Sequence, residues 1–344
     1  MTLFRHILVV GSGSTAGYLL GTLSNTSERG GFRVTGLVKE YEASALRQSG
    51  LRIEGRSSLI RAMPEVMADP LNAPEADLIL LATRSEHARA VLRKLRRNIE
   101  RGATVFTIAA GVPWWLPSTN GALGGAHIES IDPAGEFLSS IPIGCIVAGV
   151  TDFICDRPAP DIVRHYCGRK MIIGSASNNP THLWNIQNLF TGCSLECSIT
   201  TDIQSILWSN LIDMGSINPI SILTGTTSAV VVGSRTGRLI LTRVMREIES
   251  VGSALGLGPF GVAEDRLEAL AKISPSSKTP FLHEIERSLD LELDVMLQAI
   301  VEIGDRIGIT TQTLGILCEL ARLKAAFLTH QVNWQMDDSF SSKT

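Results

Sequence analysis

Apolar residues fall along this chain in two rhythms. In the first half they form short runs bounded by Gly, Ser or charged residues. In the second they recur every three or four positions over long stretches. His6–Val10 is a short β-branched run and predicts a buried strand. A glycine-rich turn over Gly11–Gly17 follows, then a helix through Tyr18–Leu23. Phe32–Val38 reads as a second strand, Glu42–Gln48 as a helix and Leu51–Ile53 as the start of an extended segment. Asp77–Thr83 is continuously apolar at its centre, as expected of a parallel strand covered on both faces. His87–Arg96 predicts a basic amphipathic helix with a solvated charged face. Thr104–Ala109, Ile143–Val150 and Met171–Gly174 predict further strands. This alternation points to an α/β fold with a doubly wound sheet.

From about Thr181 the pattern turns helical. Ile203–Met214, Arg235–Ala254, Val262–Ile273, Leu289–Gly308 and Leu314–Thr329 carry helix-spaced apolar residues. The expected division is an α/β domain over residues 1–180, an all-α domain over 181–332 and a disordered polar tail over 333–344. Gly111–Asp132 is rich in Gly, Pro and Trp and has no period, so it reads as a long connection with a functional role. Internal repeats are absent.

With 344 residues the chain exceeds what one core usually holds, which fits two domains. Its 44% hydrophobic and 19% charged residues are ordinary for a soluble globular protein. A net charge of −3 with no basic run argues against a nucleic-acid partner. The six cysteines form no CxxC pair and have no His partners at metal spacing, so they read as buried reduced thiols and no metal is expected. Arg5 and His6 precede an apolar run, as in a signal peptide, but Gly11–Ser14 break it at once. No stretch reaches the roughly 20 apolar residues that span a bilayer. The expected location is cytoplasmic, with no membrane partner.

The first turn carries the clearest chemistry. Gly11-Ser12-Gly13-Ser14-Thr15-Ala16 is a G-x-G-x-x-A form of the dinucleotide fingerprint. Gly11 permits the tight turn, Gly13 lets a pyrophosphate approach the backbone, and Ala16 lets helix and strand pack closely. The helix N-terminus then offers N–H groups and the positive end of its dipole to phosphates. A strand before the turn and a helix after it supply the context the motif needs. The second strand ends in Val38-Lys39-Glu40. Lys39 can neutralise the 2′-phosphate of NADP(H), whereas Glu40 would favour NAD if it pointed inward. NADP(H) is the expected cofactor.

Several segments together resemble the ketopantoate reductase (2-dehydropantoate 2-reductase) family over most of the chain. They are the first turn with Gly17-Tyr18-Leu19; Ala45-Leu46-Arg47 and Gly50-Leu51-Arg52-Ile53; Gly111-Val112-Pro113-Trp114-Trp115 with Ile131-Asp132-Pro133-Ala134-Gly135; Trp208-Ser209-Asn210-Leu211 through Ile217-Asn218-Pro219; and Lys278-Thr279 with Leu291-Glu292-Leu293-Asp294. The resemblance implies a Rossmann domain, a helical C-terminal domain of the 6-phosphogluconate-dehydrogenase-like kind, and a cleft between them. It implies hydride transfer from NADPH to the ketone of a 2-oxo acid. In the family a Lys on the first long C-terminal helix protonates the forming alkoxide, and Asn residues with a Glu hold the substrate.

The departures from the family fall on that chemistry. Asn210 stands where the family has the proton-donating Lys, and Asn does not titrate near neutral pH. Met214 replaces an Asn one turn later, while Asn218 is kept. Ala110 replaces the Asn of the nicotinamide loop, Arg84 replaces a Lys, and Pro280 replaces a Ser. Asp213 is a candidate substitute acid if burial raises its pKa, with a capping role as the alternative. His87 and His283 are weaker candidates. Glu292 matches the family's substrate-holding Glu and is a candidate for both catalysis and substrate binding. Trp114 is a candidate pocket residue, with packing as the alternative.

Three functions are compatible with these residues. The first is an NADP-dependent reductase whose more apolar pocket takes a bulkier ketone or an imine. The second is a redox-inactive member that binds a ligand or catalyses a non-redox step. The third is ordinary 2-dehydropantoate reduction with a relocated acid. The partner is in each case a small molecule, and the apolar helix surface can support a homodimer.

Overall fold

The run His6–Val10 forms strand β1, buried at every residue. It pairs in parallel with β2 (Arg33–Leu37) on one side and β6 (Leu78–Leu81) on the other. The remaining strands are β3 (Leu51–Gly55), β4 (Leu59–Ala62), β5 (Glu65–Met67), β7 (Thr104–Thr107), β8 (Ile146–Thr151), β9 (Ile154–Ala159), β10 (Ile162–Cys167), β11 (Lys170–Ser175) and β12 (Glu196–Ile199). This is a computed structural model that describes residues 4–56, 58–108, 111–177, 182–272 and 292–337.

The main sheet has the order β12-β11-β8-β7-β6-β1-β2-β5. From β5 to β8 its neighbours are parallel. That stretch reproduces the 3-2-1-4-5-6 order of a Rossmann domain, whose order reverses at β1. β11 then runs antiparallel to β8, and β12 parallel to β11.

A smaller sheet, β4-β3-β10-β9, covers helix α1 (Ser14–Gly30). Two glycines of α1 make the approach close. A Cβ on Gly17 would lie 2.8 Å from Val163 of β10, and one on Gly21 would lie 2.7 Å from Ile53 of β3. The sequence pattern shows only the beginning of this sheet, at Leu51–Ile53. Its strands are half-exposed and carry little uninterrupted apolar sequence.

The described residues fall into two units. The first takes residues up to 109, 113–119 and 134–204; the second takes 110–112, 120–133 and everything from 205 onward. The expected boundary at 180 therefore lies inside the first unit. The cause is β12, which follows helix Leu183–Gly192 and extends the main sheet. Helix Ile203–Thr224 continues past the expected end at Met214, through Pro219.

Among its described residues the second unit is helical, with helices Arg235–Ala254, Ala263–Ala271, Ala299–Ile307 and Gln312–Asp337. Fully buried Trp208 donates its Nε1–H to the Ile248 carbonyl at 3.0 Å. Glu247 accepts from the N–H groups of Thr313 and Leu314 and so caps the last helix. That helix leaves Ile316, Leu320, Leu323 and Phe327 exposed. No described helix is long and apolar enough to cross a membrane. Of the tail expected to be disordered, residues 333–337 continue the last helix, and 338–344 lie outside the described residues.

The thiols are not uniformly buried, as the sequence suggested. Cys193 and Cys318 are buried, Cys145, Cys155 and Cys197 are half-buried, and Cys167 on β10 is exposed. Burial pushes the Cys155 and Cys197 thiols up to about 12 and that of Cys318 up to about 11. Among the described residues no group of three His, Cys, Asp or Glu side chains could hold a metal ion.

Glu302 pins the loop before Pro133. Its carboxylate accepts from Glu129 N at 2.9 Å, Ser130 N at 3.0 Å and Ser130 Oγ at 2.5 Å, and pairs with Arg306 at 2.5 Å. Burial alone would raise its pKa. The Ser130 and Glu129 donors and Arg306 outweigh that and hold it below the usual carboxylate range. A lowered folded-state pKa adds stability that is complete above the unfolded value and disappears as pH falls through the folded value. Glu302→Gln is therefore expected to cost about 1.5–3 kcal/mol at neutral pH, with the deficit closing below about pH 4. Urea unfolding across pH measures this, and a deficit constant with pH contradicts it.

Candidate functional site

The glycine-rich turn sits at the end of β1, where the strand order reverses. Gly11 has φ +143°, and its N–H donates to the Leu37 carbonyl of β2 at 3.1 Å. A Cβ there would lie 2.2 Å from the Ala82 carbonyl oxygen after β6. Both the backbone angle and the space exclude a side chain. Gly13 differs: nothing lies within 4 Å of where its Cβ would be, so its outer side is open. It is the N-cap of α1, and no side chain caps the helix.

The first bond within α1 runs from Gly17 N–H to the Gly13 carbonyl at 3.0 Å. The N–H groups of Ser14, Thr15 and Ala16 thus have no acceptor within the helix. Ala16 is buried, and its methyl lies 3.0 Å from the Cβ position of Gly11. Open backbone donors and a helix dipole on one side of a turn form an anion cradle.

Lys39 is exposed at the end of β2 and is the N-cap of helix α2 (Glu40–Ser49). Its backbone N–H donates to Ser12 Oγ at 3.3 Å, which ties the two loops together. Glu40 accepts from Arg47 at 3.3 Å along its own helix. Both side chains of that pair are exposed, as is Lys39 beside them. Arg84 is half-buried at the N-cap of helix α3 (Ser85–Lys94), and His87 is exposed on that helix. Ala110, Pro280 and His283 lie outside the described residues.

In the helical unit, Asn210 is exposed and Met214 half-buried on helix Ile203–Thr224. Asp213 binds Arg266 Nη1 at 2.8 Å. Arg266 also donates to the carbonyls of Ser209 and Phe260 and to Ser209 Oγ. Burial pushes the Asp213 carboxyl up, while Arg266 opposes the shift. Asp213 accepts from a guanidinium in this arrangement, so serving as a proton donor would first require breaking that pair. The residue whose helical spacing suggested a substitute acid also ties two helices together through Arg266.

Asn218 is fully buried. Its Nδ2 lies 3.6 Å from Met296 Sδ, and its Oδ1 has no hydrogen-bond donor among the described residues. Met296 belongs to a π-helical turn, Asp294–Gln298, that begins two residues after half-buried Glu292. The Val295 carbonyl in this turn accepts from Val112 N–H at 2.8 Å. Gly111, at φ +96°, permits that contact, because a Cβ on it would lie 2.6 Å from the Val295 oxygen. One π-turn therefore gathers the segment after β7, the Glu292 region and Asn218. Helix periodicity carries no signal for such a turn.

Trp114, a candidate pocket residue, is buried and stacks on Phe137 with ring centroids 4.9 Å apart. Trp115 is buried as well, and its Nε1 has no acceptor among the described residues. Packing accounts for Trp114 within the first unit. Sequence reasoning also missed Arg157 of β9, which donates to the Ser12 carbonyl at 2.7 Å. The one trace of it in the sequence is Gly17, which follows Ala16 and lets the small sheet approach α1 at Val163.

The family model described as ketopantoate reductase PanE/ApbA matches residues 7–178, and the model for that family's C-terminal domain matches residues 202–325. The chain belongs to the ketopantoate reductase family. This is a family of oxidoreductases, and relatives carry its name. A 2-dehydropantoate 2-reductase from Mesorhizobium japonicum is 26% identical over 321 residues, covering 92% of this chain and 96% of the relative. One from Halobacterium salinarum is 24% identical, covering 92% and 98%. The crystal structure of a Ralstonia solanacearum MolK2 protein assigned as a ketopantoate reductase superposes with a TM-score of 0.87 at 26% identity, covering 95% of this chain and 99% of that one. D-mandelate dehydrogenase, solved with NADH and anilino(oxo)acetate, shares the fold with a TM-score of 0.79 at 14% identity, covering 94% and 99%.

The two glycines of the turn make opposite predictions. Gly11→Ala is expected to lose about 1–3 kcal/mol of stability from strain and overlap. Gly13→Ala is expected to stay within about 1 kcal/mol of the native protein. Denaturant unfolding of both variants tests the geometry, and equal stability of the two contradicts it.

Proposed function

We propose that this chain is an NADP-dependent reductase that has kept the family's cofactor turn and changed its substrate, acting on a C=O or C=N group of a small molecule. One observation carries the reading. The turn retains an open Gly13 and an uncapped helix, while an exposed Asn210 occupies the place of the family's proton-donating Lys. The backbone of Gly11, Ser12, Gly13, Ser14, Thr15 and Ala16 would hold the pyrophosphate. Lys39 would meet the 2′-phosphate, and Arg84 and Ala110 would lie towards the nicotinamide by analogy with the family. When bound, NADP(H) supplies the hydride.

The protein's own residues then limit the substrate. Asn210 can donate and accept hydrogen bonds but has no proton to release near neutral pH. Asp213 is engaged by Arg266. Reduction of a ketone places negative charge on oxygen and needs a proton there. Reduction of an iminium delivers the hydride to carbon and leaves a neutral amine, so no proton need reach nitrogen. Losing the Lys is less damaging for the second reaction. Met214 adds apolar surface where the family has an Asn, which favours a less polar group. The buried Oδ1 of Asn218 can accept from a substrate N–H or O–H, and Glu292 would hold a hydroxyl or amine.

NADPH oxidation with panels of 2-oxo acids, apolar ketones and cyclic imines tests this. An imine or apolar ketone is expected to exceed 2-dehydropantoate in kcat/KM. Asn210→Lys is expected to leave the 2-dehydropantoate rate unchanged. A rise of about 10²–10⁴, the usual worth of a general acid, would instead favour a ketopantoate enzyme lacking only its donor. Absence of substrate-dependent oxidation across all panels contradicts the reductase reading.

A further inference from the structure

Arg157 lies on β9 of the small sheet, with its side chain only 8% exposed, directly behind the first glycine turn. Its Nη1 donates to the Ser12 carbonyl at 2.7 Å, and its Nη2 to the Pro160 carbonyl at 2.6 Å. Its counter-ion is Glu42 of α2, whose side chain is 4% exposed and 3.6 Å away. The guanidinium therefore bonds the turn at closer range than its own carboxylate. Arg157 Nε and Glu42 Oε2 are both buried without hydrogen-bond partners among the described residues, so the attraction between the two side chains is ionic. Tyr41 donates its hydroxyl to Glu42 Oε1 at 2.9 Å and completes the chain from α2 to the turn.

The chemistry follows from one peptide unit. The Ser12 carbonyl and the Gly13 N–H belong to the same planar trans amide and point in opposite directions. Arg157 fixes the carbonyl inward, so the Gly13 N–H is aimed outward, on the side where no atom lies near the Gly13 Cβ position. A charged donor on the carbonyl also polarises the amide and strengthens its N–H as a donor. Gly17 belongs to the same device. A Cβ there would come 2.8 Å from Val163 of β10, so the glycine lets the small sheet that carries Arg157 lie close against α1, with Arg157 Nε 3.5 Å from the same position.

We infer that Arg157 is a positioning residue for the cofactor. It locks the Ser12–Gly13 peptide in the orientation that presents the Gly13 N–H to the dinucleotide pyrophosphate, and Glu42 holds it in place. This rests on the proposed cofactor reading. It deepens that reading by assigning pyrophosphate affinity to a charge outside the fingerprint and on another sheet.

The test uses the full-length protein and two variants. Arg157→Lys keeps the charge but cannot reach both carbonyls. Arg157→Met with Glu42→Gln removes both charges, so no buried charge is left unpaired if the single variant misfolds. Binding of NADPH and NADH is followed by nucleotide fluorescence. Adenosine 2′-monophosphate or adenosine, which carry no pyrophosphate, serve as control probes by ligand-observed NMR, and melting temperature is recorded in parallel. Both variants are expected to bind the preferred dinucleotide at least about tenfold more weakly, a loss of one good hydrogen bond. The adenosine probes and the melting temperature should change little. Unchanged dinucleotide affinity in the folded double variant overturns the role. Parallel loss for dinucleotide and adenosine probes, together with a fall in melting temperature, also overturns it, because Arg157 would then support the fold in general. If the native protein binds neither dinucleotide, the cofactor reading itself fails and the positioning role fails with it.

Discussion

Gly11 has no room for a side chain, and the local architecture of the turn follows from that fact. The chain leaves β1 at φ +143° and passes so close to the Ala82 carbonyl that a Cβ would overlap it. The turn is thereby set between β2 and β6, where the parallel order reverses. From this position α1 begins without a side-chain cap, and its first N–H groups have no acceptor within the helix. The same restriction on volume continues along α1. Gly17 and Gly21 let a second sheet press onto the helix, and that sheet brings Arg157 to the back of the turn. A cradle for an anion thus arises from absent side chains in front and one buried cation behind.

In the helical unit, too, a buried polar group is left only partly satisfied among the described residues. Asn218 keeps an unpaired oxygen next to Met296, and the π-turn carrying Met296 holds the backbone of Val112. An unsatisfied buried amide oxygen costs free energy of order 1–3 kcal/mol. Such groups concentrate where a ligand completes them. Asp213, by contrast, is fully committed to Arg266. Beside Asn210 on the helix, its Oδ1 is held by a guanidinium from the neighbouring helix, while burial pushes the carboxyl pKa up.

Strongly periodic elements were legible in the sequence and half-exposed ones were not. β1 and β6 are nearly continuous apolar runs, β2, β7 and β8 carry buried β-branched or aromatic residues, and Arg235–Ala254 was bounded to the residue by its spacing. β4, β9 and β10 have no such run. Their stability comes from pairing with each other and from covering α1, which is information held elsewhere in the chain. β12 was read as part of a helical region for the same reason. In the candidate site, the Gly11–Ala16 turn was readable because backbone geometry dictates residue type there. Arg157, Met296 and the partner of Asp213 were not, since each acts through a contact distant in sequence.

The central claim is that the backbone amides after β1 grip a dinucleotide. Amide hydrogen exchange with and without saturating NADP⁺ tests it most directly. Slowed exchange concentrated in peptides spanning Gly11–Gly17, with weaker protection around Lys39, is the predicted result. Exchange in the Gly11–Gly17 peptides that is indifferent to both NADP⁺ and NAD⁺ would contradict the account.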